Sequence, residues 1–186
     1  MVILDINNLV QDLEKQELES SNGIATAQVY AQLLSIYLYQ NDLCNAKFLW
    51  KRIPANIKTS NPELGHIWSV GKSLWMKDFP ATYKALNAVN WPETVADIMS
   101  QVQAVVRSRA VDLISQAYSS ITLETVSAMT GLSFDLCLNA CKEKGWRFEP
   151  DSNIVYPVRQ TPEPVVQTSS EDQLYKLTDF VSFLEN

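Results

Sequence analysis

The sequence predicts a mostly α protein. An antiparallel helical-repeat array over residues 1–120 is followed by a subdomain of two helices and a β-hairpin over 121–158, a linker over 159–170 and a last helix over 171–186. Three observations predict it. Apolar residues recur at helical spacing in each segment before residue 121, without the alternation of strands. The period changes from helix to strand once, within 121–157. Beyond that change a Pro- and Ser-rich stretch, with Pro162, Pro164, Thr168 and Ser169, sets a final apolar stripe apart.

Ile6, Leu9, Val10 and Leu13 make an amphipathic first helix through Glu17, which Ser20, Ser21, Asn22 and Gly23 break. Thr26 caps a second helix in which Val29, Tyr30, Leu33, Leu34, Tyr37 and Leu38 cover more than half the circumference. So apolar a helix is expected at the centre of the array, between neighbours. Asn41 and Asp42 turn the chain into a third helix with Leu43, Ala46, Phe48, Leu49 and Trp50, stopped by Pro54. Asn61 and Pro62 supply a cap and a first-turn proline before Leu64, Ile67, Trp68, Gly71, Leu74 and Trp75. Phe79 and Pro80 open a short helix through Ala88. Trp91 and Pro92 open the longest, which carries Val95, Ile98, Val102, Val105, Val106, Leu113, Ile114, Ala117 and Tyr118 and suits a spine joining two parts. Connections of a few residues imply antiparallel stacking similar to tetratricopeptide-like repeats. No repeat is visible in the residues themselves, so the array rests on helix count.

Thr122 can cap a helix from Leu123 to Thr130 with Leu123, Val126 and Met129 on one buried face, and Gly131 ends it. Ser133 caps the next, with Phe134, Leu136, Cys137, Leu138 and Cys141 facing inward and Gly145 placed for a left-handed cap. Two strands follow, Trp146-Arg147-Phe148 and Ile154-Val155-Tyr156, around a polar turn of Glu149, Pro150, Asp151, Ser152 and Asn153. Helix, tight turn, helix, hairpin is the order of a winged helix. After the Pro-rich stretch, the residues Leu174, Leu177, Phe180, Val181 and Leu184 form a continuous stripe on a helix too short to be stable alone. It must dock, either on its own domain or on a partner.

Apolar residues make up 46% and charged residues 19% of 186, the composition of a globular protein. No apolar run approaches the roughly 20 residues of a membrane span, and no charged-then-apolar leader opens the chain, so a soluble, intracellular protein is expected. Cys44, Cys137 and Cys141 are odd in number, and the last two share a helix face, where they read as small core residues with free thiols. The net charge of −6 disfavours a general nucleic-acid binder. Its distribution says more. Asp5, Asp12, Glu14, Glu17 and Glu19 against Lys15 make the first forty residues acidic. Lys47, Lys51, Arg52, Lys58, Lys72, Lys77 and Lys84 against Asp42, Glu63 and Asp78 make the next fifty basic, as a solvated face or a docking surface for an acidic partner.

His66 is the single histidine, so neither a His-Glu-x-x-His nor a His-x-His metal site can be built. Among five glycines there is no Gly-x-Ser-x-Gly elbow, phosphate loop or dinucleotide fingerprint. No catalytic residue, cofactor site or metal site is assigned. A winged-helix DNA-binding regulator reading through 134–144 is the alternative, and charge argues against it. Lys142, Lys144 and Arg147 face Glu124, Asp135, Glu143, Glu149 and Asp151, a net acidic module where phosphate demands cations. The hairpin is better placed as a sheet edge, with Ile154-Val155-Tyr156 open to a neighbour's strand unless Pro150 and Pro157 blunt it.

Array, winged helix and last helix in that order resemble the PCI-domain family of the proteasome lid, the COP9 signalosome and initiation factor three. Six strings sharpen the resemblance: GIAT from Gly23, FLWKRIP from Phe48, IWSVG from Ile67, DFP from Asp78, SQAY from Ser115 and LTDFVSFLEN from Leu177. They look like the subunit-eight family of the signalosome, over nearly the whole chain. The resemblance implies a non-catalytic scaffold in the complex that removes Nedd8 from cullins in cullin–RING ubiquitin ligases, cytoplasmic and nuclear, with other signalosome subunits as partners and subunit three as its neighbour. It also implies winged-helix edges joined side by side and terminal helices gathered into a shared bundle. The positions are Trp146, Arg147, Phe148, Ile154, Val155 and Tyr156 for the edge, and Leu174, Leu177, Phe180, Val181 and Leu184 for the bundle. A proteasome-lid or initiation-factor subunit of the same architecture is the other reading. No membrane and no nucleic-acid partner is expected.

Overall fold

The computed structural model describes residues 3–20, 23–159 and 170–185, and among them the chain forms ten α-helices and one small sheet. Helix α1 (Ile3–Glu19) lays Ile6, Val10 and Leu13 against α2 (Ala27–Gln40). Thr26 begins α2 by accepting the Val29 amide, and Asn41 ends it in the left-handed region, φ 62. Tyr30, Leu33, Leu34, Ile36 and Leu38 are all but fully buried, because α2 packs on α1, α3 (Leu43–Arg52), α5 (Pro62–Trp75) and α7 (Glu93–Ala117) at once. It is the central helix that its apolar circumference predicts.

Asp42 caps α3 and Asp78 caps α6 (Phe79–Asn87), each carboxylate accepting the amide three residues on, at 2.9 and 3.0 Å. Pro54 does more than stop α3. It stands at the N-cap of a further short helix, α4 (Ala55–Ser60), which the apolar pattern does not reveal because none of its residues is buried. The Asn61 side chain, expected to cap α5, instead donates back to the Ile57 carbonyl at 2.9 Å and ties off α4.

Helix α7 has 25 residues, about 37 Å at 1.5 Å per residue, and reaches two separate cores. Val95, Met99, Val102 and Val106 belong to the large cluster built on α2 and α5. Ile114 belongs to a smaller one with Ile121, Leu123, Val126, Cys137, Cys141, Trp146 and Val155. Between them, α8 (Leu123–Thr130) presents its C-terminal carbonyls, which lack helical partners. Tyr83 Oη on α6 donates to the Met129 carbonyl at 3.2 Å, and Arg107 Nε on α7 donates to the Thr130 carbonyl at 3.0 Å. Burial pushes the Tyr83 phenol up to about 12, against the opposing pull of Arg107, so it stays a neutral donor. Gly131 closes α8 at φ 64 with the Tyr83 ring directly over its Cα.

The subdomain beyond α7 departs from expectation in three places. A two-residue strand β1 (Ile121–Thr122) precedes α8 and pairs with β3 (Ile154–Tyr156), which also pairs with β2 (Arg147–Glu149), giving the antiparallel order β1-β3-β2. So β3 is the central strand and its backbone is not an open edge. The second strand starts one residue later than predicted, because Trp146 turns into the core at 7% exposure and Glu149 takes a ladder position. In α9 (Phe134–Glu143), Cys137 and Cys141 are buried but Phe134 and Leu136 are each 54% exposed. The predicted inward face was too wide for a ten-residue helix that packs on one side only. Helix α10 (Ser170–Glu185) follows, and the predicted linker between lies outside the described residues apart from its two ends.

Two outcomes check this packing. Gly131→Ala must take a left-handed backbone and push its Cβ to 2.6 Å from the Tyr83 ring, which should cost about 2 to 5 kcal/mol in urea unfolding. Gly145→Ala, at φ 70 with nothing within 4 Å of the added carbon, should cost only the backbone share of about 1 to 2 kcal/mol. Near-equal losses would mean that Tyr83 does not close over α8. Among the thiols, Cys44 is exposed, and burial pushes Cys141 up to about 11. A thiol reagent should modify one cysteine of the native chain rapidly and all three after denaturation; rapid loss of a second native thiol contradicts the packing of α9.

Candidate protein-binding surfaces

The winged-helix sheet is one candidate surface, and its geometry moves the predicted contact. Val155 is fully buried and Trp146 nearly so; both side chains hold the small core together and offer a partner no side-chain surface. With β3 central, the longer edge left unpaired among the described residues is that of β2. One face of β2 and β3 is a polar lattice. The Arg147 guanidinium lies 5.1 Å from the centre of the Tyr156 ring opposite it, and Glu149 accepts from Tyr156 Oη at 3.2 Å and Ser152 Oγ at 2.9 Å. The other face turns Phe148 and Val155 inward. Such a strand, rigid on both faces and three residues long, can add one neighbouring strand without rearranging. Ile154 and Tyr156 are half-buried beside it.

Helix α10 is the second candidate surface. All its described side chains, 174–184, are exposed. The stripe residues Leu174, Leu177, Phe180, Val181 and Leu184 range from 51% to 79% exposure, and Tyr175 and Phe183, outside the predicted stripe, are as open at 70% and 78%. The apolar surface thus wraps further round the helix than the spacing of the five leaders suggests. A helix of sixteen residues is marginal in water on its own, while each large side chain fully buried on docking contributes roughly 1.5 to 3 kcal/mol.

The basic middle of the chain folds into an aromatic, cationic face. Trp50 and Trp68 stack at 5.4 Å with planes 9° apart, Lys58 lies 4.7 Å over Trp50, and Lys47 lies 4.3 Å over Trp75. Phe48, Trp75 and Met76 are exposed here. At the acidic end, Arg52 grips Glu17 in a two-pronged pair at 3.1 and 2.8 Å, and Tyr37 Oη donates to Glu14 at 2.7 Å. Burial and that carboxylate hold the Tyr37 phenol well above its usual range. Those contacts fix α1 on α2 and α3. Among the described residues no group of three or more His, Cys, Asp or Glu is gathered as metal ligands would be, and His66 is exposed. No helix is long and apolar enough to cross a membrane among the described residues.

Family comparisons agree with this architecture. The model for the CSN8/PSMD8/EIF3K family matches residues 24–166. A Danio rerio protein named COP9 signalosome complex subunit 8 is 45% identical over 186 residues, all of this chain and 97% of the relative, so that the alignment includes α10. Proteins of the same name from Dictyostelium discoideum and Drosophila melanogaster are 35% and 33% identical, over 92% and 97% of this chain and 87% and 97% of their own lengths. The mostly α array with its small antiparallel sheet is PCI-like, and with most of its length matched by the family model the chain belongs to the CSN8/PSMD8/EIF3K family.

Proposed function

We propose that this chain is a non-catalytic scaffold subunit of the COP9 signalosome, the complex that deneddylates cullins and so regulates cullin–RING ubiquitin ligases. Its relatives carry the name of a signalosome subunit over nearly their full lengths. The single observation that carries the scaffold reading is α10, an amphipathic helix with every described side chain exposed. A helix of that composition is stable when other helices cover its stripe, and a bundle shared with several subunits would do so. The free edge of β2 adds a second joint, to a neighbouring subunit's winged helix, with subunit three as the expected neighbour. A role without chemistry accords with a lone, exposed histidine. The site of action is cytoplasmic and nuclear.

Replacing Leu177 and Phe180 together by Asp is expected to abolish co-purification with the other signalosome subunits. The melting of the isolated chain should barely change, since substitutions at exposed sites typically shift stability by no more than about 0.5 kcal/mol. Loss of folding in the isolated variant would mean that the stripe belongs to the chain's own core. In hydrogen exchange, amides of segment 147–149 should slow at least tenfold on assembly, whereas Ile154 and Val155, already paired on both sides, should change little. Equal change in both segments, or none in either, counts against edge pairing.

A further inference from the structure

The cleft where α2 and α5 both end, walled by α6 and α7, carries two cations over an apolar floor, with no carboxylate among its described lining residues. Leu74, Phe79, Val106 and Leu113 supply the apolar surface, and Lys77 and Arg109 the charge. Its volume of about 210 Å³ is below the roughly 300 to 1,000 Å³ of sites that enclose a small molecule, and suits one or two side chains of a peptide. Arg109 uses one of its five N–H donors on the protein, from Nη2 to the Tyr39 carbonyl at 2.8 Å. Burial draws its pKa down, against a smaller opposing pull from Tyr39. Lys77 is exposed, on left-handed backbone with φ 60. The carbonyl ends of α2 and α5 offset only part of this charge, because a helix terminus carries about half an elementary charge. Two of the three acidic residues in the basic stretch are already engaged, Asp42 and Asp78 each capping a helix. Next to Lys77 in the chain, Trp75 and Met76 are 44% and 76% exposed, which extends the apolar surface beyond the cleft.

We propose that this cleft docks an acidic segment of a partner protein, in which an Asp or Glu carboxylate meets Arg109 and Lys77 while an adjoining large apolar side chain enters over Leu74, Phe79 and Leu113. Charge complementarity selects this occupant. A bare phosphate gains nothing from the apolar floor, and a second copy meeting this cleft face to face would set cations against cations. The surface is distinct from β2 and α10 and does not depend on the signalosome reading.

The test is a titration of the full, 15N-labelled chain with an N-acetylated, C-amidated peptide Gly-Asp-Phe-Asp-Gly, beside its Gly-Asn-Phe-Asn-Gly counterpart and inorganic phosphate. The acidic peptide is expected to move the backbone amides of Leu74 and Lys77 and the Arg109 Nε signal, with the Asn peptide at least fivefold weaker and phosphate without effect. Lys77→Asn, which tolerates the left-handed backbone, should weaken binding at least fivefold. Leu113→Asp, at a side chain 45% exposed, should abolish it by placing a carboxylate in the cleft. Both variants should melt within a few degrees of the parent. Equal response to the two peptides, movement with phosphate alone, shifts centred elsewhere, or none at millimolar peptide would overturn the proposal. So would the same shifts appearing on concentrating the chain without peptide, which would point to self-association.

Discussion

The last carbonyls of α8 hold the two cores in register. Those of Met129 and Thr130 lie in the final turn and have no donor within the helix, so the donors come from the array, Tyr83 on α6 and Arg107 on α7. Because a buried acceptor left without a donor loses its hydration for nothing, this seam has one good arrangement. Gly131 is the clearance that arrangement needs, since any side chain there would occupy the space of the Tyr83 ring. Helix α7 completes the join, passing from the large cluster at Val106 to the small one at Ile114 with no break in its backbone. Two helices and two hydrogen bonds thereby fix where the small sheet projects.

That fixed projection matters for a protein whose proposed work is to be bound. An edge strand recruits a neighbour efficiently only if its own position is settled in advance, because ordering it during association would subtract from the affinity. On β2 the Arg147, Tyr156 and Glu149 lattice on one face and Phe148 on the other do this settling. Helix α10 follows the opposite logic: its described apolar side chains are open, and in the proposed assembly a covering partner would supply the packing that steadies it.

Charge follows the same division. Two carboxylates of the acidic first helix are engaged within the molecule, Glu17 by Arg52 and Glu14 by Tyr37. The basic stretch after it keeps a surplus, because Asp42 and Asp78 serve as helix caps and the lysines at 47 and 58 lie over tryptophans rather than against carboxylates. A face that is cationic and aromatic in a chain of net charge −6 favours encounter with acidic partners.

The sequence by itself determined the helices other than α4, and most of their limits, because caps and breakers act locally. Thr26, Asp78, Thr122 and Gly131 each begin or end a helix through bonds to residues three or four away. It also determined the central place of α2, since a helix apolar over most of its circumference has no solvent face. What only the tertiary structure decided depended on partners distant in the chain. β1 is two residues long and exists because β3 lies beside it, which makes β3 central and moves the free edge to β2. Trp146 and Val155 looked available and are core; Phe134 and Leu136 looked like core and are open. Periodicity tells which side chains share a face, and only packing tells which of those faces is covered.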